Sequence, residues 1–283
     1  MSDQLPIWIN GEVSDRLPAD DRGLAYGDGV FETIRVAPRP VLEQFHFDRL
    51  AKGLAALGLV IDQTMLYRFY SDYLNQHQPE LIKLIITRGS GGRGYLPPEK
   101  PAPNIIVQGF ALPEYPAEWQ RQGIDLFLCD TPLSVNPSLA GIKHLNRLEQ
   151  VLARREFATA PCQEGLMANA EGKWLEGTMS NLFLVNAGTL YSPPLEQCAV
   201  NGTMQRFILN CCRDMGAPLV TCDITSQQLQ NMDIIFVCNS VFGLWRVKSL
   251  VGKTLSPTGS DDSQKRSVAL LNAIQQKVSS LLL

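Results

Sequence analysis

The sequence predicts an α+β fold in two domains, and three observations carry that reading. Strand-like runs rich in β-branched and aromatic residues are mixed with amphipathic helical runs, without the regular alternation of a βαβ series. The texture breaks at "LPEYPAEWQRQG", where Pro113 and Pro116 interrupt a polar stretch. The chain has 283 residues, 45% hydrophobic and 19% charged, enough for roughly two packed cores. A smaller domain is expected over 1–115 and a larger one over 120–283.

In chain order, "LPIWINGEVSD" reads as a short strand turning at Asn10-Gly11, and "GVFETIRV" as a strand. "HFDRLAKGLAALGL" places Phe47, Leu50, Leu54 and Leu57 on one helical stripe. A second helix is expected from about Gln63 to His77, then strands at "LIKLIITR" and "NIIVQGFA". Beyond the break come the strand "IDLFLCD" and a helix directly after Lys143, with Leu148, Val151, Leu152, Ala153 and Phe157 recurring at helical spacing. "EGLMANAEGKWLEG" reads as a hairpin turning at Glu171-Gly172, followed by strands at "NLFLVN" and "TLYS". The helix "TMQRFILNCCRDMG" is closed by Gly216 and Pro218. The strand "DIIFVCNS" and the amphipathic helix "SQKRSVALLNAIQQKVSSLLL" complete the chain.

Composition excludes several classes. A net charge of -3 offers no general attraction to nucleic acid or an anionic membrane, and points to a small-molecule ligand. The seven cysteines, at 129, 162, 198, 211, 212, 222 and 238, form no C-x-x-C pair and mostly end apolar runs, as reduced core residues of a cytoplasmic protein do. The three histidines, at 46, 77 and 144, do not pair at ligand spacing, so no metal site is expected. "MSDQLPIWIN" lacks the basic and apolar regions of a signal peptide, and no apolar run reaches membrane-spanning length.

Lys143 stands in "AGIKHLNRLEQVLARREF", next to a flexible Gly and ahead of a helix. A solvated charge would explain it, and so would a reactive amine. "RGSGGRGY" (88–95) is Gly-rich and follows a strand, but "LPPEKPAP" behind it cannot open a helix. That removes the nucleotide-loop readings and leaves a mobile loop whose arginine forks suit carboxylates, or a plain connection. "VNGTMQRF" puts Gly202-Thr203 at a helix N-terminus, a seat for phosphate or an ordinary cap. Arg49 lies in the first turn of a helix, where the dipole disfavours a cation unless an anion compensates. "CNSVFG" offers Asn239 and Ser240 past a buried strand, and Glu176 ends a strand, where burial would demand a cationic partner. A lysine, an acid and several phosphate donors together suit pyridoxal 5'-phosphate.

Seven ordered motifs, "DRGLAYGDGVFETIRV", "HFDRL", "ITRGSGGRGY", "AGIKHLNRLEQV", "LEGTMSNLFLV", "VNGTMQRF" and "VCNS", resemble the fold-type IV pyridoxal-phosphate enzymes, the D-amino acid aminotransferase-like family, over nearly the whole chain. The resemblance implies that Lys143 is the Schiff-base lysine, carried by the larger domain, and that Glu176 pairs with the pyridine nitrogen. It implies phosphate contacts from Arg49, Thr203, Met204, Asn239 and Ser240, with Asn146 and Arg147 near the cofactor ring. Some relatives place a tyrosine at about position 147 for the ring oxygen, and this chain has none there. Phe31, Arg93 and Tyr95 fall at the substrate side, so the loop of the smaller domain would bind substrate. The family also implies homodimers.

The motifs around the loop and Lys143 resemble the lyase branch, which cleaves a carbon–oxygen bond, more than the aminotransferase branches. Aminotransfer shares the first proton removal, so Lys143 and Glu176 do not separate the two. A phosphate-ligand binder without catalysis is the alternative of another class.

Overall fold

The computed structural model describes residues 5–196, 198–250, 253–254 and 259–283. The first four residues of the "MSDQLPIWIN" reading lie outside the described residues. The chain divides into two units: Met1–Pro113 with Ile142–Asn146, and Glu114–Gly141 with Arg147–Leu283.

The first unit runs β1 (Trp8–Ile9), β2 (Glu12–Val13), α1 (Arg22–Tyr26), β3 (Gly29–Arg35), α2 (Glu43–Ala56), α3 (Gln63–His77), β4 (Leu81–Thr87) and β5 (Asn104–Phe110). Its sheet has the order β2-β1-β5-β4-β3, with every pairing antiparallel. Asn10 and Gly11, both at positive φ, make the tight turn between β1 and β2. Alternate residues of the long strands (Val30, Ile34, Ile82, Leu84, Ile86, Ile105 and Val107) are buried with Leu50 and Leu54 of α2 and Leu66, Phe69, Tyr70 and Tyr73 of α3. The predicted α2 stripe thus meets the sheet, with Phe47 and Leu57 at its margin. Asp62 starts α3 by accepting the Thr64 and Met65 N–H groups at 2.9 and 3.2 Å.

The second unit runs α4 (Ala117–Gln122), β6 (Ile124–Leu128), α5 (Leu148–Glu156), β7 (Glu164–Ala168), β8 (Trp174–Gly177), β9 (Asn181–Asn186), β10 (Thr189–Ser192), α6 (Thr203–Asp214), β11 (Leu219–Thr221), α7 (Ser226–Asn231), β12 (Ile234–Asn239), β13 (Gly243–Leu250), β14 (Lys253–Thr254) and α8 (Asp261–Leu282). Its sheet order is β11-β10-β9-β12-β13-β6-β7-β8, and β8 pairs again with β9, which closes a barrel. Ile124, Leu126, Leu166, Leu182, Leu184, Ile235, Val237, Trp245 and Val247 fill its core. The hairpin β7–β8 forms as predicted, with Gly172 at positive φ and the Asn169 side chain accepting the Glu171 and Lys173 N–H groups.

Three expectations need revision. The break at 113–123 is not bare linker: it carries α4, and Tyr115 and Trp119 pack edge-on to Trp245 at 4.8 and 5.4 Å. The helix after Lys143 starts only at Leu148, because the backbone of residues 143–145 is hydrogen-bonded to β3 instead. Its stripe points outward, with Leu148 75%, Val151 53% and Leu152 48% exposed, while Ala153 and Phe157 are buried. Lys143 therefore packs with the first unit and not with the region after residue 120.

Candidate active site

In the first unit, β3 is the last strand of its sheet, and its free edge takes up the segment around Lys143. Phe31 N–H donates to the Lys143 carbonyl at 2.9 Å, Leu145 N–H donates to the Gly29 carbonyl at 3.0 Å, and Val30 bridges His144. A strand edge has unpaired backbone groups, and this pairing fixes the lysine backbone through them. Lys143 Nζ stands 4.5 Å from the centroid of the Phe31 ring. Asn146 Nδ2 donates to the Gly27 carbonyl at 3.2 Å. Gly27 has φ +66, and a Cβ there would lie 2.5 Å from Asn146 Oδ1, so only glycine fits that approach.

Arg49 does not lie in the first turn as expected: α2 opens at Glu43, so Arg49 is mid-helix, and it is burial that demands a counter-charge, which Glu32 supplies. Arg49 Nε donates to Glu32 Oε1 at 2.7 Å and Nη2 to Oε2 at 2.6 Å, while His46 Nδ1 lies 2.6 Å from Oε2. All three residues are buried. Burial would raise the Glu32 carboxyl, but the charges and hydrogen bonds of Arg49 and His46 together outweigh it and hold it down at about 2. Burial lowers the His46 imidazole, against the pull of Glu32, and Arg49 and Lys143 add to the lowering. Sequence reasoning missed Glu32 and His46, although a signal was present. Val30, Glu32 and Ile34 share the inward parity of β3, and a charge at a core position needs a partner.

The 88–95 loop is pinned by side chains the sequence reading left out. Asp28 accepts Arg88 Nε and Nη2 at 2.7 and 2.9 Å and Arg22 Nε at 2.9 Å. Burial would raise the Asp28 carboxyl, yet the two arginines hold it below its usual range. The rest of the Arg22 fork donates to the carbonyls of Gly94 and Tyr95 at 2.9 and 2.8 Å. Arg88 is buried and committed to Asp28 and the Leu57 carbonyl, which leaves Arg93 as the exposed arginine of the loop. Tyr95 is 84% exposed and its ring lies 5.4 Å from that of Tyr26.

In the second unit, Glu176 is buried on β8, opposite Asn181 of β9. Its Oε2 accepts the Val200 N–H at 2.8 Å, and Asn181 Nδ2 donates to the Val200 carbonyl at 2.8 Å. Val200 is thereby held from both sides two residues before Gly202, the N-cap of α6. Gly202 has no side chain to cap the helix, and a Cβ there would fall 1.8 Å from Asn181 Oδ1. Thr203, Met204 and Ser240 are buried. Asn239 donates through Nδ2 to the Met179 carbonyl at 3.0 Å, and its Oδ1 accepts the Val241 and Phe242 N–H groups at 2.9 Å each. Its amide therefore shapes the turn after β12.

Lys143, Phe31, Arg49, Asn146, Arg93 and Tyr95 belong to the first unit, and Glu176, Thr203, Met204, Asn239 and Ser240 to the second. Residues 29–250 match the model of the class IV amino-transferase family. The chain belongs to that family, and its fold is the α+β fold-type IV architecture with its β-barrel. Among its relatives, the aminodeoxychorismate lyase of Vibrio harveyi is 33% identical over 247 residues, which is 86% of this chain and 91% of that protein. The crystal structure of 4-amino-4-deoxychorismate lyase from Pseudomonas aeruginosa superposes with a TM-score of 0.85 at 40% identity, covering 94% of this chain and 98% of that one. A putative branched-chain-amino-acid aminotransferase of Methanocaldococcus jannaschii is 28% identical over 264 residues, covering 89% of this chain and 90% of that protein.

Proposed function

We propose that this protein is a pyridoxal-phosphate-dependent lyase that converts 4-amino-4-deoxychorismate to 4-aminobenzoate and pyruvate, a step of folate biosynthesis. The observation that carries the reading is the near full-length similarity to two such lyases, at 33% and 40% identity. An aminotransferase relative covers the same length at 28%.

The residues fit the cofactor on their own chemistry. Lys143 supplies the amine. Glu176 is a buried carboxylate that accepts the Val200 N–H, and a protonated ring nitrogen would offset the charge it buries. The α6 N-terminus, with glycine as its N-cap, would offer backbone donors to a phosphate, with the Ser240 hydroxyl and the Arg49 cation as further phosphate contacts. Asn146 would contact the ring, and Asn239 supports the turn that carries Ser240. When bound, pyridoxal phosphate would supply an electron sink for the carbon that carries the substrate amine.

The protein's own residues do the rest. Lys143 Nζ takes the proton from ring carbon C4 of the substrate. Glu176 keeps a positive charge at the cofactor nitrogen, where negative charge collects. The C3–oxygen bond then breaks and the pair leaves with the enolpyruvyl oxygen. Proton return to that fragment gives pyruvate, and the ring becomes aromatic. Arg93 pairs with a substrate carboxylate, Tyr95 lies beside it, and Phe31 shields the lysine amine from water on one side. The enzyme works as a homodimer in the cytoplasm. All seven cysteines are free, and no helix among the described residues is long and apolar enough to cross a membrane.

The test supplies chorismate, glutamine and an aminodeoxychorismate synthase, then measures products. Equal amounts of 4-aminobenzoate and pyruvate, formed without any added keto acid, support the lyase. Turnover only with a keto-acid acceptor and an amino acid would instead make it an aminotransferase. A colourless purified protein that turns over neither would be a phosphate-ligand binder.

A further inference from the structure

Glu164 opens β7, is fully buried, and has no part in the chemistry above. Its carboxylate collects five donors. Oε1 accepts the Gly165 N–H at 2.8 Å, the Thr178 N–H at 3.2 Å and the Thr178 hydroxyl at 2.5 Å. Oε2 accepts the Met179 N–H at 3.3 Å and the Ser180 hydroxyl at 2.9 Å. Arg154 Nη1 stands 4.0 Å from Oε1. Burial pushes this carboxyl up, and the Thr178, Gly165 and Ser180 donors oppose it. Four of the five donors come from the turn 178–180, which joins β8 to β9.

That turn has Glu176 at one end and Asn181 at the other, the two residues that hold Val200 ahead of α6. Its middle carbonyl, Met179, is where Asn239 anchors the turn carrying Ser240. The turn is closed on itself by the Gly177 N–H to the Ser180 carbonyl at 2.7 Å. We infer that Glu164 is a positioning residue: it templates the 177–180 turn so that Glu176, the α6 N-terminus and Ser240 are held together in the arrangement that binds the cofactor. This rests on the reading of those residues as the cofactor seat.

Glu164→Gln tests it with little change of shape. Each carboxylate oxygen faces at least one backbone N–H, Gly165 and Thr178 on one side and Met179 on the other. Such groups only donate, so the glutamine NH2 meets a donor whichever way it turns. Ser180→Ala is the milder variant, removing one donor from Oε2. Each protein, stripped and reloaded, is titrated with pyridoxal 5'-phosphate, recording affinity, the maximum of the visible band and its pH midpoint, with the thermal midpoint of the stripped form alongside. Glu164→Gln should weaken cofactor affinity by about tenfold to a hundredfold and move the band or its midpoint, and Ser180→Ala should do the same to a smaller degree. A purely structural role lowers only the thermal midpoint. A folded Glu164→Gln protein with wild-type affinity and band overturns the inference. Should that variant not fold, Ser180→Ala decides, and wild-type behaviour there overturns it. A wild-type protein that takes up no cofactor sinks the functional reading and this inference with it.

Discussion

Glu32 grips the Arg49 guanidinium with both carboxylate oxygens, at 2.7 and 2.6 Å, in the interior of the first unit. The sequence reading puts Arg49 in the first turn of a helix and leaves its counterion open; Arg49 in fact lies in the middle of α2, where burial and not the dipole makes a counterion necessary. The fold answers with a strand residue 17 positions earlier. A bidentate, buried pair fixes the guanidinium plane.

The pair makes stability depend on acid. Glu32 is held at about 2 against an ordinary 4.5, so its contribution is complete above pH 4.5 and is lost as pH falls through 2. His46 is lowered from 6.5, so the unfolded chain takes up its proton first, and stability begins to fall below that pH. Denaturant midpoints measured from pH 7 to 2 should decline in that order, with Glu32 supplying on the order of 3 kcal/mol. Glu32→Gln should be destabilised by about 3–5 kcal/mol at neutral pH, because a buried Arg49 loses its counter-charge, and should lose the lower part of the decline. An unchanged acid profile in that variant would assign the decline to other groups.

Glu176→Gln separates charge from anchorage. The amide oxygen still accepts the Val200 N–H, so the α6 approach should survive. Loss of the charge opposite the cofactor nitrogen should lower kcat by about a hundredfold to a thousandfold while the protein stays coloured. Turnover near wild type would show that Glu176 is not the ring-nitrogen partner.

Arg93 and Arg22 act on the substrate loop in different ways. Arg93→Ala should reduce kcat/KM about tenfold to a hundredfold with the cofactor still bound. Arg22→Lys keeps a charge but not a fork, so it cannot reach Asp28 and the Gly94 and Tyr95 carbonyls together. Amide hydrogen exchange over 90–97 should then quicken and KM should rise, with the cofactor band unchanged. Slow exchange in the loop of Arg22→Lys would mean that other contacts pin it.

What could be read in the sequence was whatever local pattern decides. The α2 stripe, the alternation of β3, β4 and β5 and the Asn10-Gly11 turn all follow from neighbours a few residues apart. The barrel strand "GLWRVKSL" went unread although Trp245, Arg246, Val247 and Lys248 alternate apolar and charged, and the helix at 226–231 is too short to show a period. The start of α5 was misjudged for a non-local reason: the free edge of β3, more than a hundred residues earlier, takes the backbone hydrogen bonds of 143–145. The same limit hid Glu32, Arg22 and Glu164. Each is a charge whose partner lies on another element, and only the unsuitability of a charge at a core position hinted at it.

The proposed function rests on Lys143 as the lysine that carries the cofactor, and one measurement tests that directly. The purified, coloured protein is reduced with borohydride, digested and mapped by mass spectrometry. The account predicts a pyridoxyl group on the peptide containing Lys143 and nowhere else, with Lys143→Ala unlabelled and inactive. Label on another lysine, or a fully active Lys143→Ala protein, would contradict it.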